Sequence, residues 1–124
     1  MTIDSNIVIA FLEGERAVVE RLSAWKEAGL PLILSTVAEA EVLGYPKFSE
    51  DERRKTAQFI DENFVPVVCD RSIAYRAAVL RGSVVAIKLP DAIIAATALV
   101  MGTPLVTRNI ADFKRVPDLE IVSL

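Results

Sequence analysis

The chain has 124 residues and 13.6 kDa, room for one hydrophobic core and not for two. With no His and a single Cys it has no material for a His/Cys zinc site, a Ser-His-Asp triad, a Cys-His pair or an internal disulfide, so any acid, base or metal chemistry falls to carboxylates, hydroxyls, Lys and Tyr. A net charge of -3, from 14 Lys and Arg against 17 Asp and Glu, excludes nucleic-acid binding through bulk positive charge and leaves only a local basic rim or bridging cations.

Residues 2–3 read as a stub of strand, and Asp4 comes directly after at the head of Asp4-Ser5-Asn6, three short polar side chains suited to capping a helix. Helical periodicity covers 6–12 and 16–28, the second closed by Gly29, and 32–34 is the next strand. The segment 36–43 is helical and stops at Gly44-Tyr45-Pro46. Within it Glu41 shares a face with Val37, Ala38 and Tyr45, an odd place for a solvated carboxylate; Glu39 has another heading, and spacing alone does not choose between them. Ser49 and Glu52 form an S-x-x-E capping box opening a helix to about residue 62, with Ala57, Ile60 and Phe64 as its inner stripe. Residues 65–69 read as a strand, with Cys69 a small buried hydrophobe. The aromatic residues Tyr45, Phe48, Phe59 and Phe64 read most simply as core.

The helix 71–80 presents Ile73, Ala74, Ala77 and Leu80 and ends at Gly82. Pro90 and Asp91 open a helix over 92–101 that is apolar on nearly all sides, with Asp91 in the manner of an N-cap. That run is far shorter than the roughly 18 to 20 residues a bilayer span needs, so it belongs inside the protein. Residues 105–106 are a strand. The loop from Thr107 to Phe113 then packs a hydroxyl, an amide and a carboxylate together, with Asn109 or Asp112 suited to capping a helical turn, and 120–123 is the last strand. The acidic Asp4 stands where a secretory signal would carry Lys or Arg, which predicts a cytoplasmic protein.

Strands alternating with helices predict an α/β fold: a single domain over 1–124, three layers α/β/α, around a mostly parallel sheet. In such sheets the working edge lies outside the carboxyl ends of the strands. Asp4, Asp91 and Asp112 fall at or near that edge, and Glu41 comes after the second strand. Each has an ordinary structural reading when taken singly. Together, four carboxylates at one edge repel one another unless a cation sits among them. Oxygen-only donors point to Mg²⁺ or Mn²⁺, with Ser5, Thr107 or Asn109 helping to hold metal-bound water.

Four segments then carry a resemblance: I-D-S-N-I-V-I from Ile3, S-T-V-A-E-A-E-V-L-G-Y-P from Ser35, L-P-D-A-I-I-A-A-T-A-L from Leu89, and L-V-T-R-N-I-A-D-F from Leu105. In this order, and over nearly the whole length, the chain resembles the PIN-domain ribonucleases and, among them, the VapC-type toxins of toxin-antitoxin pairs. Only three residues precede Asp4, a shorter first strand than such proteins often have. The resemblance implies that Asp4, Glu41, Asp91 and Asp112 are the catalytic, metal-ligating quartet, supported by Ser5, Thr107 and Asn109. It selects Glu41 over Glu39, because the family's acid lies six positions after the Ser of its second strand, here Ser35.

The resemblance further implies a Mg²⁺- or Mn²⁺-dependent endoribonuclease leaving a 5′-phosphate and a 3′-hydroxyl. It also implies a cognate antitoxin and a homodimer, both drawing on the region around Tyr45 and Phe64. For RNA, Arg108 beside the acids is the leading cation, ahead of Lys114, Arg115 and Lys88, and Arg108→Ala is expected to weaken cleavage while sparing metal binding. The run Arg53-Arg54-Lys55 reads as a solvated face, pairing Glu50 with Arg54 and Asp51 with Lys55. The alternative is a catalytically silent PIN-like interaction module. A receiver-type phosphoacceptor would need paired acids after the first strand, and a D-x-D phosphatase fails because Ser5 and Asn6 come after Asp4.

Overall fold

Apolar doublets and triplets bracketed by capping residues set the strands, and the longer amphipathic stretches between them cover the sheet. The computed structural model describes residues 1–124. Its elements run β1 Thr2–Ile3, α1 Ser5–Leu12, α2 Arg16–Glu27, β2 Ile33–Ser35, α3 Thr36–Leu43 and α4 Glu50–Asn63. They continue with β3 Val65–Val67, α5 Arg71–Ser83, α6 Leu89–Met101, β4 Leu105–Val106, α7 Ile110–Phe113 and β5 Ile121–Val122.

All strand pairs are parallel, in the order β3-β2-β1-β4-β5, with Thr2 level with both Ile33 and Leu105. The chain steps outward from β1 to β3, returns through α5 and α6, and lays β4 on the other side of β1. This reversal leaves a crevice at the carboxyl ends of β1 and β4, where open α/β sheets hold their ligands. β1, β2 and β4 are wholly buried, as strands covered on both faces must be. Pro66 sits in the edge strand β3, where a missing N–H is tolerated.

The core joins Ile3, Leu34, Leu105 and Val106 of the sheet to Ile7 and Val8 of α1 and to Ile94 and its alanine neighbours on α6. The small side chains of α6 let α5 lie close along it, burying Ile73, Ala77 and Leu80. Helix starts agree with the caps in the sequence. The Ser35 hydroxyl accepts from the Val37 N–H at 3.2 Å, and Asp70 accepts from Ile73 at 2.9 Å. Ser49 and Glu52 close both bonds of the capping box, at 3.1 and 3.0 Å. Gly102, at φ +66°, ends α6 in the left-handed conformation that favours glycine. No helix is long and apolar enough to cross a membrane.

Several local expectations are corrected. Helix α6 begins at Leu89 with Lys88 at the cap position, so Asp91 lies inside the first turn and its carboxylate is not spent on capping. Helix α5 runs through Gly82 to Ser83, and Ala74 is exposed. Strand β3 stops at Val67, because the Asp70 N–H turns back to the Val68 carbonyl at 2.9 Å and leads the chain out of the sheet; Cys69 is therefore exposed. Of the aromatic group, Phe64 is buried and Phe59 packs on Phe11 at 5.2 Å, but Tyr45 is 49% exposed and pairs edge-on with Phe48. On α4, Glu50 pairs with Arg53 and not with Arg54, while Asp51 takes both Arg54 and Lys55.

Candidate active site

Asp4 is delivered to the crevice by β1. Its backbone N–H donates to the Val106 carbonyl at 3.0 Å, and its side chain caps α1. The residue is 3% exposed, so its carboxylate must be satisfied from within the protein. Oδ1 accepts from the Ser5 N–H at 2.7 Å and the Ser5 hydroxyl at 3.4 Å, while Oδ2 accepts from the Thr107 hydroxyl at 2.7 Å and Asn6 Nδ2 at 3.3 Å. Every one of these donors is neutral.

Thr107 reaches Asp4 because β4 lies beside β1. It is fully buried, its N–H donates to the Val122 carbonyl at 3.0 Å, and its hydroxyl oxygen accepts from Asn109 N–H at 3.0 Å and Asn6 Nδ2 at 3.3 Å. Asn6 closes the ring, its Oδ1 accepting from the Arg108 N–H at 3.3 Å.

The other carboxylates gather around this cradle. Partial burial pushes the Glu41 carboxyl above the ordinary range, and the charges of Asp4 and Asp91 push it further, with the Ser5 hydroxyl opposing. Asp91, half-buried in the first turn of α6, is raised by partial burial and then by Asp4 and Asp112, with Lys88 opposing. Asp112, in the first turn of α7, is exposed and lines with Asp91 a cleft of about 210 Å³ whose walls carry Lys88 and Arg115. Glu39 faces elsewhere, lining a depression with Leu34, Ile60 and Phe64, so α3 sends its two acids to different places.

As placed, no three of these acidic side chains close around one point. The donor set is all oxygen, from carboxylates, hydroxyls and amides, around a surplus of negative charge. That suits a hard divalent ion held by one or two carboxylates and its own waters. Asp4, Glu41, Asp91 and Asp112 are the residues that could hold it.

The PIN domain family matches residues 1–119. This chain is a member of the PIN domain family. Ribonuclease VapC of Rickettsia bellii is 25% identical to this PIN domain, over the whole of this chain and 96% of that protein. Among solved structures, VapBC2 of Rickettsia felis bound to a promoter DNA fragment superposes with a TM-score of 0.87 at 19% identity, covering 99% of this chain and 97% of that one. A toxin-antitoxin complex from Klebsiella pneumoniae gives a TM-score of 0.79 at 32% identity, covering 98% and 94%.

In this PIN domain two further residues join the site. Asn6 bridges Asp4 to the loop after β4, a role the tripeptide Asp4-Ser5-Asn6 hints at only once β4 is known to lie beside β1. Glu15 has no signal in the sequence at all. It receives both terminal nitrogens of Arg108, one at 3.1 Å, and the Arg108 Nε donates to the Leu124 carbonyl at 3.1 Å. Asn109, at the cap position of α7, makes no side-chain capping bond and enters the network through its backbone N–H.

Proposed function

We propose that the chain is a divalent-metal-dependent endoribonuclease, acting as a single domain over 1–124, and the toxin of a toxin-antitoxin pair. The carrying observation is that the Asp4 carboxylate lies close enough to act on both Glu41 and Asp91 at the switch point between β1 and β4, with Asp91 acting on Glu41 and Asp112 on Asp91. The ribonuclease VapC relatives, aligned over nearly their whole length, supply the reaction class.

A bound Mg²⁺ or Mn²⁺ supplies a water of lowered pKa and neutralises charge on the phosphate oxygens. Asp4 would be the fixed ligand, held by Ser5, Asn6 and Thr107 through neutral donors that orient it without cancelling its charge. Glu41 and Asp91 would complete the set; partial burial first and the Asp4 charge second oppose their ionisation, which a bound cation would relieve. Asp112 borders the pocket, and Thr107 and Asn109 keep its loop in register with Asp4. Lys88 and Arg115, on the walls of the cleft that Asp91 and Asp112 line, are placed to meet the RNA backbone.

A second depression, of about 500 Å³, is lined by Ile9, Leu12, Val42, Tyr45 and Phe48, with Glu13 and Glu41 among its walls. It suits an amphipathic helix carrying a cation toward Glu41. The toxin-antitoxin complexes among the structural relatives support an antitoxin segment as its occupant. The homodimer expected around Tyr45 and Phe64 is better served by another face, since Phe64 is buried while Tyr75 and Val79 on α5 and Val85 after it are exposed apolar residues.

The test is cleavage of a mixed RNA pool by the purified protein with Mg²⁺ or Mn²⁺, run beside a chelated sample and Asp91→Asn. Cleavage should appear with metal and vanish in both controls. Cleavage that survives both, or none by the unaltered protein with either metal, would overturn the reading.

A further inference from the structure

Residue 108 grips helix α1 at both of its ends. Its backbone N–H donates to Asn6 Oδ1, in the first turn, at 3.3 Å. Its guanidinium reaches past the helix's far end to Glu15, where the turn at Gly14, φ +73°, folds the chain back. The Glu15 N–H donates to the Ala10 carbonyl at 3.0 Å, so the carboxylate Arg108 holds is tied to α1 itself. A third donor, Nε, holds Leu124 beyond β5. One residue thus fastens α1 and the end of the chain to the exit of β4, and its neighbours in this lattice, Thr107 and Asn6, are the two residues that bind Asp4 Oδ2.

The surroundings of the guanidinium do not suit a phosphate. Glu15 engages it with both oxygens and Glu13 adds a second negative charge nearby. Two carboxylates around one cation leave no net positive charge to attract RNA, and a phosphate would first have to displace a two-point charge-assisted bond.

We propose that Arg108 and Glu15 form a clamp that positions the Asp4 cradle, and that Arg108 serves the reaction through Thr107 and Asn6 instead of contacting RNA. This rests on the ribonuclease reading for its kinetic arm alone. Arg108→Ala, Glu15→Gln, Arg108→Lys and the Arg108→Ala/Glu15→Gln double variant would be compared with the unaltered chain by amide hydrogen exchange without metal or RNA, and by steady-state cleavage. The pair is exposed, so the variants should fold, and a thermal melt checks this. The amide of Asn109, bonded to the Thr107 hydroxyl, should exchange about tenfold faster in both single variants. The turnover number should fall about three- to tenfold with KM within about twofold, the double variant should be no worse than either single, and Lys, which keeps the charge but loses the fork, should not restore turnover.

The clamp is overturned if Asn109 exchange is unchanged. It is equally overturned if KM rises at constant turnover, Lys restores it, and the salt dependence of RNA binding loses about one unit of slope, the signature of a lost phosphate contact. If the unaltered chain cleaves no RNA, the exchange arm still decides the clamp, and only the ribonuclease reading falls.

Discussion

Thr107→Val keeps the shape of a fully buried side chain and removes one oxygen. That oxygen donates to Asp4 Oδ2 at 2.7 Å and accepts from Asn109 N–H at 3.0 Å and Asn6 Nδ2 at 3.3 Å. A hydrogen bond to a charged group is worth about 1.5–3 kcal/mol, and a neutral one about 0.5–1.5 kcal/mol. Asn6 keeps its bond to Asp4, and Asn109 is exposed and finds water, so the loss centres on Asp4. The expected cost is about 2–4 kcal/mol, a large share of a typical domain's stability but not all of it. Thr107→Ser keeps the hydroxyl and loses one methyl, about 0.8 kcal/mol. Urea unfolding measures both, with the midpoint falling at constant slope. Turnover should fall in the same order, since only Val leaves Asp4 without its shortest side-chain partner. A Val variant within about 0.5 kcal/mol of the unaltered chain, or a Ser variant as damaged as Val, would refute the view that this hydroxyl anchors Asp4.

Glu41 and Asp91 are raised in the folded chain, which then holds more protons than the unfolded chain just above the ordinary carboxylate range; their contribution to stability therefore falls as pH rises through that window. Thermal melts across pH without metal should show Asp91→Asn gaining on the unaltered chain toward neutrality, and Mg²⁺ or Mn²⁺ should raise the melting point of the unaltered chain more than that of the variant; an equal pH dependence of the two chains contradicts the assignment. Cys69 should be modified by a thiol reagent in the native protein within about tenfold of its rate in urea, whereas a buried thiol would react only on unfolding. Ser49→Ala removes the hydroxyl half of the capping box on α4 and should cost about 1 kcal/mol in urea unfolding, with Ser49→Gly milder.

Features set by neighbours in the chain are legible in the sequence. The capping box at Ser49, the helix Thr36–Leu43 and the strand at Leu105 rest on residues within a few positions of one another, and so does the Asp4 cap. The parallel sheet is legible from alternation, but its order is not, and the order is what puts Thr107 against Asp4. The roles of Asn6 and Glu15 depend on that adjacency and so leave no local signature. Cys69 and Tyr45 mislead for one reason: each continues an apolar run but lies two residues past the end of its element, β3 ending at Val67 and α3 at Leu43, where the chain has already turned outward. Asp91 reads as a cap because Pro90 precedes it; the helix begins one residue before that proline, which leaves the carboxylate for the crevice.

The bond between Thr107 and Asp4 spans 103 positions, and the strand that brings Thr107 into place is the fourth of five. During synthesis Asp4 emerges together with Ser5 and Asn6 but 103 positions ahead of Thr107, its shortest side-chain partner. A growing chain can form α1, α2 and the first strands and still have no assembled centre, since β1 gains its second neighbour only when Leu105 and Val106 arrive. For a ribonuclease this ordering delays activity: the centre that could cut RNA does not exist until β4 has been made and laid beside β1.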